Sequence, residues 1–397
     1  MQHRIIVLGA GYGGTYVAGC LARRLHPADF EITVVNAEPD FVERLRLHQL
    51  AAGQDLPRRD LAAIFAGTGV RLRLARVTAV DADRRTVTVD DGSGADRLEY
   101  DTLVYTLGST IAEHGVPGVA EHAFHIAGRP AALRLRARLD ELDGAGSVLV
   151  VGGNLTAIEG ATELAESRPG LRIALATEGE LGGWLAPKAR RHLLGAFDRL
   201  GIAVHEHTPI AQVTAAGAVA ADGTAFDADA TVWAAGFAAH PIAAASGLAV
   251  GGDGRITVDK SMRSVSHPEV YAAGDSVHAV AENGLPLPMS CASAGFTGKQ
   301  AMAAIIRELT GRNAAGSPMV YYGNHISLGR KDAILQVVDG DARSKSWAVV
   351  GGRTAARVKN GILKGAAWSV AHPTFGMPAR RHRRSAAADR SAEAATA

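Results

Sequence analysis

The sequence predicts an α/β protein, because one strand–turn–helix pattern occurs twice in it. Residues 5–8 form a short apolar run typical of a buried strand, which breaks into the glycine-rich turn 9–14 and then an alanine-rich helical pattern. A second apolar run at residues 147–151 breaks into another glycine turn, and another helical pattern follows. The two copies lie about one small domain apart in the chain, so we expect two nucleotide-binding domains.

The first glycine turn has the spacing G-x-G-x-x-G in the strand-to-helix context that dinucleotide binding requires. Gly9 permits the tight turn, Gly11 leaves room for a pyrophosphate against bare backbone, and Gly14 lets the helix pack closely on the strand. The helix N-terminus then points its free N–H groups at the phosphates. Tyr12 and Gly13 complete the turn, and we include both in the predicted binding site.

The second strand is predicted at residues 31–35, and the place just after it usually holds an acid for the ribose hydroxyls. Here that place holds Asn36, with Glu38 two residues on. An asparagine can still hydrogen-bond a ribose hydroxyl, but without the help of a charge. Either residue is therefore a candidate for the ribose contact.

The next stretch, residues 41–53, carries Arg44, Arg46 and His48 close behind the second strand. One interpretation is a solvated helix face. The other is that an arginine or the histidine contacts the cofactor, and the sequence favours neither. Farther on, residues 70–80 and 86–89 alternate apolar and polar side chains, which predicts a β-hairpin.

Three later strand patterns also end at a glycine. The first runs through Thr106 to Gly108, the second ends at Gly236, and the third ends at Gly274, followed by Asp275.

The second glycine motif departs from the pattern at its middle position. It begins at Gly152 and continues through Thr156 to Ala157, an accepted variant of the third glycine, but its middle residue is Asn154. Asparagine tolerates a positive φ, so the turn can form. Its side chain, however, occupies the space where backbone should meet pyrophosphate. The site on this motif is therefore weakened or lost. Glu178 follows the paired second strand.

Short strand patterns alternate with turns over residues 324–358, which predicts an additional C-terminal region that is β-rich or α+β. Residues 358–377 mix apolar side chains with Gly361, Gly365 and Pro373, which argue against a long amphipathic helix. A basic cluster and a Ser/Ala tract follow, and their composition predicts a disordered tail over residues 379–397.

Composition excludes several classes of protein. The formal net charge of +2 over 397 residues, with basic residues spread along the chain, does not indicate nucleic-acid binding. The two cysteines, Cys20 and Cys291, form neither a CxxC pair nor a metal cluster, so we expect no metal site and a reducing compartment. No signal peptide or membrane span is predicted. We therefore expect a cytoplasmic protein.

Together the motifs GAGYGG, LVYTLGS, VVGGNLTAIE, TVWAAG and VDKSMRSVSHPEVYAAGD resemble the FAD-dependent pyridine nucleotide oxidoreductases, which have two Rossmann-like domains. Within that family they are similar to the type II NADH dehydrogenases. The resemblance implies a discontinuous FAD-binding domain at 1–110 and 239–315 and an NAD(P)-binding-like domain at 111–238. A C-terminal interface domain would cover 316–378.

The resemblance also assigns roles to residues. It implies that Asp275 bonds the ribityl–pyrophosphate region of FAD and that Val77 lies near the adenine. By the same likeness Glu159 would lie near the nicotinamide and the flavin, and we name Glu159 and His48 as candidate catalytic residues. The remaining cofactor-binding candidates are Gly9, Gly11, Tyr12, Gly13, Gly14, Asn36, Glu38, Arg44, Arg46, Thr106, Gly108, Gly152, Asn154, Thr156, Ala157, Glu178, Gly236 and Gly274.

The activity implied by the resemblance is transfer of a hydride from NAD(P)H to the flavin N5 atom, followed by reduction of a quinone or another small organic acceptor. Glu178, with no arginine nearby, favours NADH over NADPH. The lack of a cysteine pair excludes the disulfide reductase branch. The alternative is a flavoenzyme whose nicotinamide site is degenerate because of Asn154, acting on a specialised-metabolite substrate by flavin oxidation or a redox-neutral step. The resemblance also raises a homodimer, or peripheral attachment at the inner face of the membrane through the C-terminus.

Overall fold

The computed structural model describes residues 1–282, 284–319, 321, 323–338, 344–375 and 380–385. The predicted α/β fold is confirmed, with two parallel sheets flanked by helices and smaller antiparallel sheets attached to them. The first segment contains β1 (His3–Leu8), α1 (Tyr12–Arg24), β2 (Phe30–Asn36), α2 (Leu47–Ala51), α3 (Leu61–Phe65), β3 (Val70–Leu74), β4 (Arg76–Asp81), β5 (Thr86–Asp90), β6 (Ala95–Glu99), β7 (Thr102–Tyr105) and β8 (Thr110–Ile111).

The middle segment carries the second copy of the strand–turn–helix pattern. Its elements are α4 (Val119–His122), α5 (Arg129–Glu141), β9 (Gly146–Val151), α6 (Leu155–Ser167), β10 (Leu171–Ala176), α7 (Pro187–Arg199), β11 (Ala203–His205), β12 (Ile210–Thr214), β13 (Gly217–Ala220), β14 (Ala225–Asp227), β15 (Ala230–Trp233) and β16 (Phe237–Ala238).

The last segment returns to the first sheet and then forms the C-terminal region. Its elements are α8 (Ile242–Ala245), β17 (Ile256–Thr257), β18 (Val270–Ala272), β19 (Val277–His278), α9 (Cys291–Thr310), β20 (Gly323–Ser327), β21 (Ala333–Val338), β22 (Ser344–Gly351) and α10 (Gly352–Ala371).

The first parallel sheet has the strand order β18-β7-β1-β2-β3, so strands from the first and last segments build it. The second parallel sheet has the order β11-β10-β9-β15. Their central strands β1 and β9 are buried on both faces, which explains their continuous apolar sequence. The C-terminal region is the antiparallel sheet β20-β21-β22 with α10 packed on it, which confirms the predicted additional β-rich region.

Two interpretations of the first segment need correction. The alternating stretch 70–80 is two strands: β3 extends the first parallel sheet, and β4 pairs with β5 in a separate antiparallel sheet. The interpretation of 41–53 as a solvated helix face is also wrong. Leu47 and His48 on α2 are buried, and α2 packs against α5 and α6 of the middle segment. This packing makes α2 a link between the two halves of the protein.

The argument against a long C-terminal helix is wrong, because α10 runs for 20 residues. Gly361 and Gly365 lie on its exposed side, whereas Ala355, Leu363 and Ala367 are buried against the rest of the protein. Burial of that apolar stripe outweighs the cost of the glycines, which is about 1 kcal/mol each. Among the described residues, no helix is both long and apolar enough to cross a membrane.

The predicted disordered tail, 379–397, is wrong for its described part. His382 forms a parallel β-bridge with Leu25 at the end of α1, and Arg383 forms an ion pair with Asp29 at 2.8 Å. Backbone hydrogen bonds and an ion pair with the first segment thus hold this basic stretch in place. The rest of the predicted tail lies outside the described residues.

Candidate functional site

Two of the glycine-ended strands, β7 and β18, lie side by side in the first sheet. Strand β7 pairs with β1 on one side and with β18 on the other, all in parallel. Their carboxyl ends therefore place three segments side by side, namely residues 9–14, 106–108 and 274–275. This is the edge at which α/β sheets bind ligands.

A close fit between the glycine turn and Thr106 shapes this edge. Gly9 has φ +91°, and a Cβ there would lie 2.8 Å from the Thr106 carbonyl oxygen. A Cβ on Gly14 would collide with the Gly9 carbonyl oxygen and would lie 2.5 Å from Thr106 Oγ1. Thr106 Oγ1 donates a hydrogen bond to the Leu8 carbonyl at 2.6 Å. Both glycines are therefore required by the protein itself, before any ligand is considered.

Gly11 differs from these two glycines. It is the N-cap of α1, no side chain caps the helix there, and a Cβ on Gly11 would meet nothing within 4 Å. The protein therefore leaves space over an uncapped helix N-terminus, with N–H groups that can hold phosphate oxygens. These residues fit the pyrophosphate of a dinucleotide. Tyr12 packs edge-on against Phe41, and Gly13 lies under Ala294 of α9.

The two ribose candidates have different partners. Asn36 Oδ1 accepts a hydrogen bond from the Ala10 N–H at 2.9 Å, and its Nδ2 donates to the Glu38 carbonyl at 2.7 Å. The amide therefore fixes the glycine turn to the end of β2. The half-buried Glu38 carboxylate makes no hydrogen bond or ion pair within the described residues. Of the two side chains, the Glu38 carboxylate is the one left available for a ribose hydroxyl.

Arg44 and Asp275 meet through Ser109, a residue that the sequence reasoning did not select. Ser109 Oγ donates to Asp275 Oδ2 at 2.6 Å and accepts from Arg44 Nη2 at 3.0 Å. Arg44 Nη1 lies 3.6 Å from Asp275 Oδ2, and its guanidinium lies 5.5 Å from the ring centre of Phe237. Gly108 leaves room for this arginine, because a Cβ there would lie 2.7 Å from Arg44 Nη1.

This network has an electrostatic consequence. Burial lowers the pKa of the Arg44 guanidinium, and the Asp275 carboxylate opposes that shift. A charged pair is thus fixed at the carboxyl ends of β7 and β18. Arg44 also reaches Phe237 on β16, in the middle segment, so it connects the two halves of the protein.

The remaining candidates around the first sheet have partners of their own. Arg46 donates to Gln49 Oε1 at 2.8 Å and pairs with Glu43 at 3.4 Å. Val77 is buried in β4, opposite Val89. Gly274, with φ +79°, donates its N–H to Thr297 Oγ1 of α9 at 2.9 Å.

The second glycine motif has the same local geometry as the first but is capped from within. Gly152 has φ +132°, and a Cβ there would collide with the carbonyl oxygen of Ala234, the residue that follows β15. Asn154 is the N-cap of α6, and its Oδ1 accepts the Ala157 N–H at 3.2 Å. Trp184 Nε1 also donates to the Gly153 carbonyl at 3.4 Å. Asn154 therefore takes up an N–H that α1 leaves free.

Around this motif the space between described side chains is small. Asn154, Thr156 and Gly236 line a cavity of about 10 Å³ together with Trp233 and neighbouring residues. Glu178 is exposed and lies two residues past the end of β10, as Glu38 lies two residues past the end of β2. It makes no hydrogen bond or ion pair among the described residues.

Glu159 faces the C-terminal region. The Glu159 carboxylate accepts the Ser327 N–H at 2.9 Å and pairs with Lys359 of α10 at 3.2 Å. Lys359 Nζ also donates to the His325 carbonyl at 2.6 Å. His48 lies in the same buried cluster, and its Nε2 has no hydrogen-bond partner among the described residues. The sequence reasoning missed Lys359, whose signal is a lysine within an apolar helical stripe.

The charges in this cluster follow from its burial. Burial alone would raise the pKa of the Glu159 carboxyl, but Lys359, then His48 and the Ser327 N–H, hold it below the usual value. Burial lowers the pKa of His48, against the attraction of Glu159 and Glu163. At neutral pH the cluster is therefore a charged pair beside a neutral imidazole.

The family described as pyridine nucleotide-disulphide oxidoreductase matches residues 3–298. Among curated proteins, the chain is 29% identical to an NADH dehydrogenase-like protein of Mycobacterium tuberculosis, covering 83% of this chain and 87% of that protein. It is 26% identical to a type II NADH:quinone oxidoreductase of Staphylococcus epidermidis, covering 87% and 92%.

Solved structures share the fold at lower identity. The sulfide:quinone oxidoreductase of Aquifex aeolicus aligns with a TM-score of 0.75 at 20% identity, over 94% of this chain and 92% of that one. NDH2 of Plasmodium falciparum, solved in complex with NADH, aligns with a TM-score of 0.75 at 13% identity, over 96% and 100%.

Gly11 and Gly14 of the first glycine turn give a matched pair of variants. We expect Gly14→Ala to lower the free energy of unfolding by about 1–3 kcal/mol or more, because its Cβ collides with backbone. We expect Gly11→Ala to change it by less than about 1 kcal/mol but to reduce bound flavin, because its Cβ enters the space left for phosphate. Thermal unfolding and flavin absorbance measure the two effects. Equal flavin content in Gly11→Ala and wild type would contradict the assignment.

Proposed function

Because the chain belongs to the pyridine nucleotide-disulphide oxidoreductase family, we propose that it is a flavin oxidoreductase that uses NADH to reduce a quinone or another small organic acceptor. FAD would lie on the first glycine turn. The observation that carries this proposal is the open space over the uncapped N-terminus of α1 at Gly11, beside Asp275. The domains would be those predicted from the sequence, at 1–110 with 239–315, at 111–238 and at 316–378.

The residues around the turn would hold different parts of FAD. The α1 N-terminus would bind the pyrophosphate, Glu38 the adenosine ribose, and Asp275 the ribityl region. Arg44 would hold Asp275 in place through Ser109. Bound flavin supplies the two-electron chemistry, accepting a hydride from NADH and returning two electrons to the acceptor. With one proton from solvent, a quinone then leaves as the hydroquinone.

The nicotinamide nucleotide would bind at the second glycine motif, with Glu178 at its ribose. A phosphate there must compete with Asn154 for the Ala157 N–H. An N-cap of this kind contributes about 1 kcal/mol to helix stability, so Asn154 would weaken binding about fivefold rather than abolish it. This estimate favours the NADH reaction.

The second candidate function is a flavoenzyme with a degenerate nicotinamide site that acts on a specialised-metabolite substrate. The observations that favour it are the Asn154 cap and the Trp184 hydrogen bond to Gly153, both of which cover the motif. In that case the flavin would oxidise the organic substrate, or it would assist a redox-neutral step.

Anaerobic mixing with NADH distinguishes the two candidates. We expect stoichiometric NADH to bleach the oxidised flavin band of the purified protein. We expect Asn154→Gly to lower the NADH concentration for half-maximal rate about fivefold, because it frees the Ala157 N–H. Thr224→Ala, a change at an exposed residue between β13 and β14, is the control. Absence of bleaching in both wild type and Asn154→Gly would favour the second candidate.

We further propose that Lys359 hydrogen-bonds an oxygen of the acceptor and that Glu159 positions it. An ammonium has three N–H donors, and Lys359 directs two of them to Glu159 and His325. The third is available to a carbonyl oxygen. His48, as a neutral imidazole, remains our candidate for proton transfer near this point.

Separate half-reactions test this role. We expect Glu159→Gln to leave reduction by NADH unchanged and to slow reoxidation by a quinone about tenfold or more, because the unpaired Lys359 is no longer held in place. Glu159→Asp keeps the charge and should recover most of the rate. The pH profile of reoxidation should shift in Glu159→Gln. A uniform loss of both half-reactions, with no shift in the profile, would indicate a purely structural role.

The exposed apolar side chains of α10 support an association. Val358, Ile362 and Trp368 are exposed on this helix, and Phe375 follows it. We propose that they contact an anionic membrane surface or a second copy of the chain. Co-sedimentation with anionic vesicles and sedimentation velocity distinguish the two, and Val358→Ser/Ile362→Ser should weaken whichever occurs. A protein that is monomeric and does not bind the vesicles would contradict both proposed associations.

A further inference from the structure

A basic cavity of about 600 Å³ lies between the segment after β2, the loop that follows β20, and α10. Seven lysines and arginines line it, and Asp332 is its single acidic lining residue among the described residues. The seven are Arg46, Arg330, Lys331, Arg353, Arg357, Lys359 and Lys364. Asp332 does not neutralise them, because it pairs with His192 at 2.8 Å and with Arg199 at 2.6 Å, outside the cavity.

Four of the seven basic residues have acidic partners. The pairs are Arg46–Glu43, Arg330–Glu163, Lys331–Glu166 and Lys359–Glu159. Arg353, Arg357 and Lys364 make no ion pair or hydrogen bond with described residues. The cavity therefore carries about three uncompensated positive charges, and a concave site of one sign attracts ions of the other.

These three unpaired residues form a row on one side of α10. Their spacing of four and seven residues places them on the same helix face, with Asn360 between Arg357 and Lys364. Arg353 lies in the first turn of α10, where the helix dipole disfavours a positive charge. Helix stability therefore does not account for Arg353.

The cavity ends at the cluster that holds Lys359. Lys359 lines it, and so does Ser327, whose N–H bonds Glu159. Arg46, which lines the cavity, lies in the same helical turn as Arg44. Arg44 in turn reaches Asp275 through Ser109. The end of the cavity is therefore near the proposed ribityl and flavin region.

We propose that this basic cavity admits the electron acceptor, and that the acceptor carries an anionic group such as a carboxylate, sulfonate or phosphate. The inference rests on the proposed function, which supplies the reduced flavin. A volume of about 600 Å³ suits a molecule of one or two rings with a charged substituent. Among the described lining residues, only Ala356 and Leu363 have apolar side chains. A long isoprenoid tail would therefore cover charged groups without pairing them.

Two naphthoquinones that differ in charge test this inference. The protein is first reduced with dithionite and then mixed with 1,4-naphthoquinone-2-sulfonate or with neutral 2-methyl-1,4-naphthoquinone. We expect Arg353→Ala/Arg357→Ala to slow reoxidation by the sulfonate about tenfold, and by the neutral quinone less than twofold. Rising salt should reduce the wild-type rate with the sulfonate alone.

Arg97→Ala/Lys260→Ala removes the same charge from exposed positions that do not line the cavity, and should change neither rate. Calorimetric titration of the oxidised proteins with the sulfonate gives a second readout, and the Arg353→Ala/Arg357→Ala variant should bind it about tenfold more weakly.

Equal losses with both quinones, or no loss with either, would overturn the inference. So would a variant that loses binding to anionic vesicles while the sulfonate rate is unchanged, because the basic row would then serve a membrane surface. Chemical reduction of the flavin keeps these outcomes distinct from failure of the NADH reaction, which the bleaching experiment measures separately.

Discussion

The close packing of Thr106 against the first glycine turn is the contact on which the rest of the site depends. It fixes β7 against β1 and α1 at a distance that only Gly9 and Gly14 allow. Since β18 pairs with the other side of β7, the same packing contact also determines where Gly274 and Asp275 lie. A binding edge is thus assembled from three separate parts of the chain by backbone packing alone.

The two halves of the protein share one motif and differ at its N-cap. Gly11 leaves the N–H groups of α1 open, whereas Asn154 satisfies one N–H of α6 with its own side chain. Such a cap stabilises a helix by about 1 kcal/mol, and a ligand phosphate must replace it. The N–H groups at the start of α1 are therefore open to an anion, whereas one of those at the start of α6 is already bonded to Asn154. This difference of one side chain requires no change in fold.

The C-terminal region connects these halves. Helix α10 contributes Lys359 to the buried Glu159 of α6, and the described part of the tail returns to the end of α1. Removing one member of a buried ion pair leaves an uncompensated charge, so the position of α10 and the charge of Glu159 depend on each other. The same helix turns its unpaired basic residues towards the cavity. Helix α10 thus supplies both the partner of Glu159 and the basic residues of the cavity.

The sequence by itself determined the α/β class and both glycine turns, because apolar periodicity and glycine are local signals. Tertiary structure alone decided which side chains pair. Ser109, Phe237 and Lys359 find partners far away in sequence, and α10 forms despite its glycines because its apolar stripe is buried. Pairing and burial depend on the packing of distant segments, which no local pattern contains.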